Sequence, residues 1–124
     1  MSVWRLTKKF KFEASHQLMH HDGKCARLHG HSWNGEIMVE DFALAQTGPK
    51  KNMVMDFGDM KAPLKLLVKK YLDHWHLNDT LKTEMPTSEF VAQWIYDKLK
   101  PDLPKLVAVV IEETCTSRCE FVGP

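Results

Sequence analysis

The tripeptide His29-Gly30-His31, with Cys25 four residues ahead of it, constrains this chain more than any other stretch. In a β-strand, residues i and i+2 point to the same face, so a strand through the tripeptide aims both imidazoles at one point. Upstream, residues 4 to 15 alternate through Trp4, Leu6, Phe10, Phe12 and Ala14 and read as a strand that ends at His16. Glu36 to Phe42 alternates less cleanly, through Ile37, Val39 and Asp41, and reads as its antiparallel partner. Between them the stretch from His16 to His31 carries an Asp-Gly turn signal and too little apolar periodicity for a helix, so it reads as a loop returning into a strand. That layout lets His16 close a triangle with His29 and His31. Gly30 leaves the backbone between the two ligands free of a side chain.

Three imidazoles with an open fourth position make a catalytic type of zinc site, whereas a cysteine added to them makes a closed, structural one. Surface histidines near a turn also fit the spacing, and the sequence leaves all three readings open. Cys25 decides between the two metal readings. A thiolate bound to zinc is quenched, while one held beside a metal or a cationic histidine has a lowered pKa and serves as base or nucleophile. His20 and His21 read as solvated loop residues, and Cys115 and Cys119 as ordinary reduced cysteines.

Downstream, the residues from Gly58 to Leu77 space Met60, Leu64, Leu67, Val68 and Tyr71 at helical intervals. Pro63 fits that helix if Asp59 lies near its N-cap, which places the ring in the first turn. A second helix opens with Pro86 and a Thr87 or Ser88 cap, carries Glu89 at its positive end, and spaces Phe90, Val91, Trp94, Ile95 and Leu99 on one face before Pro101 stops it. Leu106 to Glu113 is a β-branched run of buried-strand type, and Arg118 to Val122 forms a last short strand. The expected order is β-β-α-α-β-β, an α+β pattern of mostly antiparallel strands with the helices on one face, in a single domain over residues 1–124.

Composition narrows the function classes. Of the residues, 44% are hydrophobic, enough for a core, and Lys plus Arg total 17 against 16 for Asp plus Glu. The resulting net charge of +1 provides no global field for gathering nucleic acid or an anionic membrane, so any anion site must be local. There is no apolar run of about 18 residues, and the opening MSVWRLTKKFKF is too polar for a signal peptide, so the expected location is cytoplasmic. Three cysteines are an odd number in a short chain, which argues against a disulfide framework.

Two further places carry chemistry. Asp73-His74, expected at the end of the first helix, has the composition of a proton shuttle tuned by a carboxylate, although neighbouring helical residues need not touch and a histidine there also suits the helix dipole. Glu112 and Glu113 follow directly on the apolar strand. A carboxylate at a strand end accepts two parallel hydrogen bonds from an N–H/NH2 edge such as a pterin or guanine presents, and it equally suits a solvated strand terminus.

Six ordered motifs together resemble one family, the 6-pyruvoyl-tetrahydropterin and 6-carboxy-tetrahydropterin synthases. They are Phe12-Glu13-Ala14-Ser15-His16, the run Lys24 to His31, Val54-Met55-Asp56-Phe57, the run Leu72 to Asn78, Pro86-Thr87-Ser88-Glu89, and Glu113-Thr114. The short gap between Cys25 and His29-Gly30-His31 is similar to the 6-carboxy branch. The resemblance implies a T-fold, with a four-stranded antiparallel sheet, two helices on one face, three subunits closing a barrel, and two trimers stacked into a hexamer with interface active sites. It implies Zn2+ on His16, His29 and His31, Cys25 as the catalytic cysteine, Asp73 and His74 as acid-base residues contributed across the interface, and Glu113 as the pterin anchor. Thr87, Ser88 and Glu89 match the segment that helps hold the pterin ring.

Phe90, where asparagine is common, and the additional His76 are departures from the family pattern. Lys24 and Arg27 flank the cysteine and are the expected triphosphate contacts. The implied reaction converts 7,8-dihydroneopterin triphosphate to 6-carboxy-5,6,7,8-tetrahydropterin, acetaldehyde and triphosphate, in queuosine (7-deazaguanine) biosynthesis. The alternatives are a 6-pyruvoyl-tetrahydropterin synthase, which keeps the three-carbon side chain, and a zinc and pterin-binding protein without turnover.

Overall fold

The alternating stretch at the start of the chain forms β1 (Trp4–His16) in the computed structural model, which describes Met1–Pro124. β2 (His29–Asp41) pairs antiparallel with it in one unbroken register from Trp4↔Asp41 to His16↔His29. β2 begins at the first histidine of the tripeptide, well before Glu36, so the ligand pair is part of the ladder. After α1 (Phe57–Leu67), a two-residue β3 (Trp75–His76), a single-turn α2 (Leu77–Thr80) and α3 (Ser88–Leu99), the chain returns to the sheet as β4 (Leu106–Thr114) and β5 (Ser117–Val122).

The α+β class holds, with two corrections to the layout. The sheet has five strands in the order β3-β1-β2-β4-β5 instead of four. The added β3 runs parallel to β1, pairing Ala14↔Trp75 and Ser15↔His76, so the order is β-β-α-β-α-α-β-β. Two residues carry too little pattern to read as a strand; the backbone of β1 recruits them.

The first helix also departs from expectation at both ends. Its N-cap is Asp56, whose carboxylate accepts the Gly58 N–H at 2.8 Å, while Asp59 lies in the first turn and pairs with Lys50. Pro63 therefore sits inside α1 in its second turn, where the proline ring cannot supply an N–H to the ladder. At the other end α1 widens into a π turn over Val68–Leu72, and the Asp73 N–H reaches back to the Val68 carbonyl at 2.8 Å. Asp73 and His74 thus lie beyond the helix.

The helices pack on one face of the sheet. Phe12, Trp33, Ile37, Val109 and Ile111 meet Met60, Leu64 and Leu67 of α1 and Val91, Ala92, Ile95 and Leu99 of α3 in one core. On α3 the buried face takes in Ala92 and Tyr96, whereas Phe90 is exposed and Trp94 half-buried, a rotation of the expected stripe. Along β1 the helix-facing row is Leu6, Lys8, Phe10, Phe12, Ala14 and His16, increasingly buried toward its end. No helix is long and apolar enough to cross a membrane.

Gly35 is where that row demands a missing side chain. It lies opposite Phe10, and a Cβ built there would come within 2.3 Å of the ring. Gly35→Ala is expected to destabilise the fold by about 1–3 kcal/mol through overpacking. Urea denaturation measures it, and a midpoint equal to that of the wild type would refute the tight contact.

Candidate functional site

The paired ends of β1 and β2 bring three imidazoles together. His16 is fully buried, its ring centroid is 4.5 Å from that of His29 and 5.2 Å from that of His31, and the His29–His31 separation is 4.9 Å. Two of the rings are oriented by the backbone. His16 Nδ1 lies 2.9 Å from the Pro86 carbonyl oxygen and His29 Nδ1 lies 2.7 Å from that of Arg27. A carbonyl only accepts, so each Nδ1 carries the proton and donates it, which leaves a lone pair on each Nε2. The Nε2 atoms of His16 and His31 are buried without a hydrogen-bond partner. Buried Nε2 atoms that converge without a hydrogen-bond partner are costly on their own and fit a cation between them.

Glu113 completes the cluster. Its Oε1 lies 2.9 Å from His16 Nε2 and 3.2 Å from His31 Nε2, and one ligand atom from each of His16, His29, His31 and Glu113 falls within 4.8 Å of the others. Burial lowers the pKa of His31. A carboxylate grouped with three imidazoles is a donor set that could hold a metal ion. Sequence reasoning gave Glu113 only an anchoring part. Its place here follows from the β2–β4 register, in which Asn34 faces Glu112 and Gly35 faces Ile111, and no local pattern displays that register.

Cys25 is not among the converging donors. It lies half-buried in a 3₁₀ turn (Lys24–Ala26), its thiol is free, and its carbonyl accepts the Leu18 N–H at 3.0 Å. The closed Cys-His arrangement is therefore not the one formed. Lys24 and Arg27 are both exposed, without a carboxylate partner, and Arg27 contributes its carbonyl to His29.

The Asp73–His74 pair does touch, for a reason absent from helical geometry. His74 takes a left-handed conformation with φ of 64°, and its Nδ1 meets Asp73 Oδ2 at 3.0 Å. Both are pinned to β1: the Glu13 N–H donates to Asp73 Oδ1 at 2.9 Å, and the His74 N–H donates to the Glu13 carbonyl at 2.6 Å. The Glu13 N–H, with the His74 ring, keeps the Asp73 carboxyl below the usual carboxylate range. The carboxylate orients the ring, and the side chain of His74 is 79% exposed. An open cleft of about 550 Å³ is lined by His74, His76, Glu13 and Ser32, with His31 at its border. His76 is engaged with the Ser15 hydroxyl at 3.0 Å.

Thr87, Ser88 and Glu89 form the start of α3. The Thr87 hydroxyl accepts the Phe90 N–H at 3.1 Å as the N-cap, and Ser88 and Glu89 border a hollow of about 320 Å³ with Arg118 and Cys119. Pro86, directly before them, is the residue whose carbonyl orients His16. The start of α3 and the histidine cluster are thus joined through one residue.

The chain is similar to known proteins over nearly its whole length. The family model described as 6-pyruvoyl tetrahydropterin synthase matches residues 5–124. A Synechocystis protein named 6-carboxy-5,6,7,8-tetrahydropterin synthase is 50% identical over 123 residues, covering 98% of this chain and 95% of the relative. A Haemophilus influenzae protein of the same name is 31% identical, covering 96% of this chain and 99% of its own. Among solved structures, the 6-pyruvoyl tetrahydropterin synthase of Caenorhabditis elegans superposes with a TM-score of 0.83 at 27% identity, over 100% of this chain and 98% of that one.

Proposed function

Since the chain belongs to the 6-pyruvoyl tetrahydropterin synthase family, with the match running over residues 5–124, we propose that it is a 6-carboxy-5,6,7,8-tetrahydropterin synthase. The reaction proposed is 7,8-dihydroneopterin triphosphate and one water giving 6-carboxytetrahydropterin, acetaldehyde and triphosphate, a carbon–carbon lyase step of queuosine biosynthesis. The observation that carries the reading is the 50% identity to the Synechocystis protein of that name over nearly the full length of both chains.

His16, His29 and His31 are the residues that would hold Zn2+, and the unpartnered Nε2 atoms support that assignment. Zinc held there supplies Lewis acidity toward the hydroxyls of the substrate side chain. Cys25 is the proposed base for a side-chain proton, and its sulfur lies outside the donor cluster. Asp73 fixes the Nδ1–H of His74, leaving Nε2 to carry protons to and from the ring. Glu113 is the proposed anchor of the pterin N–H/NH2 edge, with Thr87, Ser88 and Glu89 bordering the ring. Glu113 lies against His16 and His31, so anchoring the ring would draw its carboxylate from the cluster.

The proposed assembly is the family's trimer-based hexamer in the cytoplasm. Two open sheet edges support it: β3 covers β1 only at Ala14 and Ser15, and β5 ends the sheet on the other side. Closing such edges between subunits removes an aggregation liability. The test is to incubate zinc-loaded protein with dihydroneopterin triphosphate and identify the products by mass spectrometry. A 6-carboxy product with acetaldehyde is expected. A 6-pyruvoyl product would move the chain to the sister reaction, and unchanged substrate would refute turnover.

A further inference from the structure

A cavity of about 430 Å³ between α1 and β1 is lined by Lys8, Lys9, Lys61, Lys65 and Lys69, with Asp73 at its edge as the one carboxylate. None of the five lysines is ion-paired; the lysines that are, Lys50 with Asp59 and Lys105 with Asp41, lie elsewhere. Asp73 is already committed to the Glu13 N–H and to His74. The cavity therefore gathers Lys8 and the three helix-side lysines without neutralising them, while Lys9 borders it from the strand with its side chain on the alternate face.

Lys8 is the most informative of the five. It is half-buried in the helix-facing row of β1, between Leu6 and Phe10, where alternation calls for an apolar side chain. A charge on the core face is a local rule broken without a structural gain, which marks a functional demand. Lys61 and Lys65 are one helical turn apart on α1, an arrangement in which like charges repel, and Lys69 follows in the π turn. Strand and helix thus both spend stability on placing ammonium groups around one space. Asp73 also lines that space, and its partner His74 lines the open cleft beside β1.

We infer that this cavity is a polyanion site and that it takes the triphosphate chain of the substrate. The inference rests on the proposed pterin triphosphate reading and assigns one portion of that substrate. A linear triphosphate carries about four negative charges at neutral pH, which suits several point-charge lysines better than a single bidentate contact. Lys24 and Arg27, the cations expected from sequence, are isolated on an exposed turn and are the rival site.

The test titrates inorganic triphosphate into the zinc-loaded protein by calorimetry at low and physiological salt, with zinc content measured before and after because triphosphate chelates the metal. Lys61→Ala/Lys65→Ala should weaken triphosphate binding about tenfold or more, and the loss should shrink at high salt. Lys8→Met should weaken it as well while holding or raising the melting temperature, which separates a binding role from a structural one. In turnover, the same variants should raise KM for dihydroneopterin triphosphate with kcat changed less than about threefold, and leave the affinity for unphosphorylated dihydroneopterin unaltered.

Triphosphate affinity equal to wild type in these variants, or affinity lost only in Lys24→Ala/Arg27→Ala, overturns the inference. So does an unchanged KM for the triphosphate substrate in variants that no longer bind inorganic triphosphate. Lysine-dependent triphosphate binding in a protein that binds no pterin would leave the anion site standing and remove the pterin reading instead.

Discussion

His29→Ala is expected to lose metal and turnover together, with zinc affinity falling by more than about 100-fold and product formation falling below detection. His29 is the sharper choice over His16, which is fully buried against Trp33 and whose removal would leave a cavity in the core. The imidazole of His29 is only half-buried, and its orientation comes from a neighbour two residues away, through the Arg27 carbonyl. Elemental analysis of the purified variant, with circular dichroism to establish that it folds, reads the result. A folded variant with a full complement of zinc would remove His29 from the donor set. Full activity in a metal-free variant would remove the metal from the reaction.

Cys25→Ala is expected to separate what His29→Ala joins. The thiol lies outside the converging donors, so zinc content should stay at the wild-type level while turnover drops by about 10²–10⁴, the range of a general base. Cys25→Ser tests the same point with a hydroxyl far too weakly acidic to act as the base, and it should rescue little. Zinc lost along with the thiol would make Cys25 a ligand, and undiminished turnover would end its part in proton transfer.

The three histidines were legible in the sequence because two of them obey the period of a strand, and a period of two survives any uncertainty about where a strand begins. The start of α3 was legible for a similar reason: Thr87 caps it through a contact that spans three residues, to the Phe90 N–H. Glu113 on the cluster was not legible, since its neighbours depend on how β4 slides against β2. Nor was the contact between Asp73 and His74. It needs α1 to end in a π turn, the backbone of Glu13 to capture both residues, and His74 to enter the left-handed region, and each of those is a tertiary event. The unusual Lys8 could be read as part of an alternating strand, but its meaning emerges only when α1 brings three more lysines to face it.

The unbroken β1–β2 register, from Trp4↔Asp41 to His16↔His29, has a consequence for how the chain reaches its native state. Slipping the hairpin by a single residue would turn His29 and His31 to the far side of the sheet from His16 and dismantle the donor set in one move. A misaligned hairpin can still satisfy most of its backbone, but it cannot chelate. Ion capture would then act as proofreading of strand alignment, rewarding one registration among near-equals, so that the three side chains proposed to hold zinc would also edit folding.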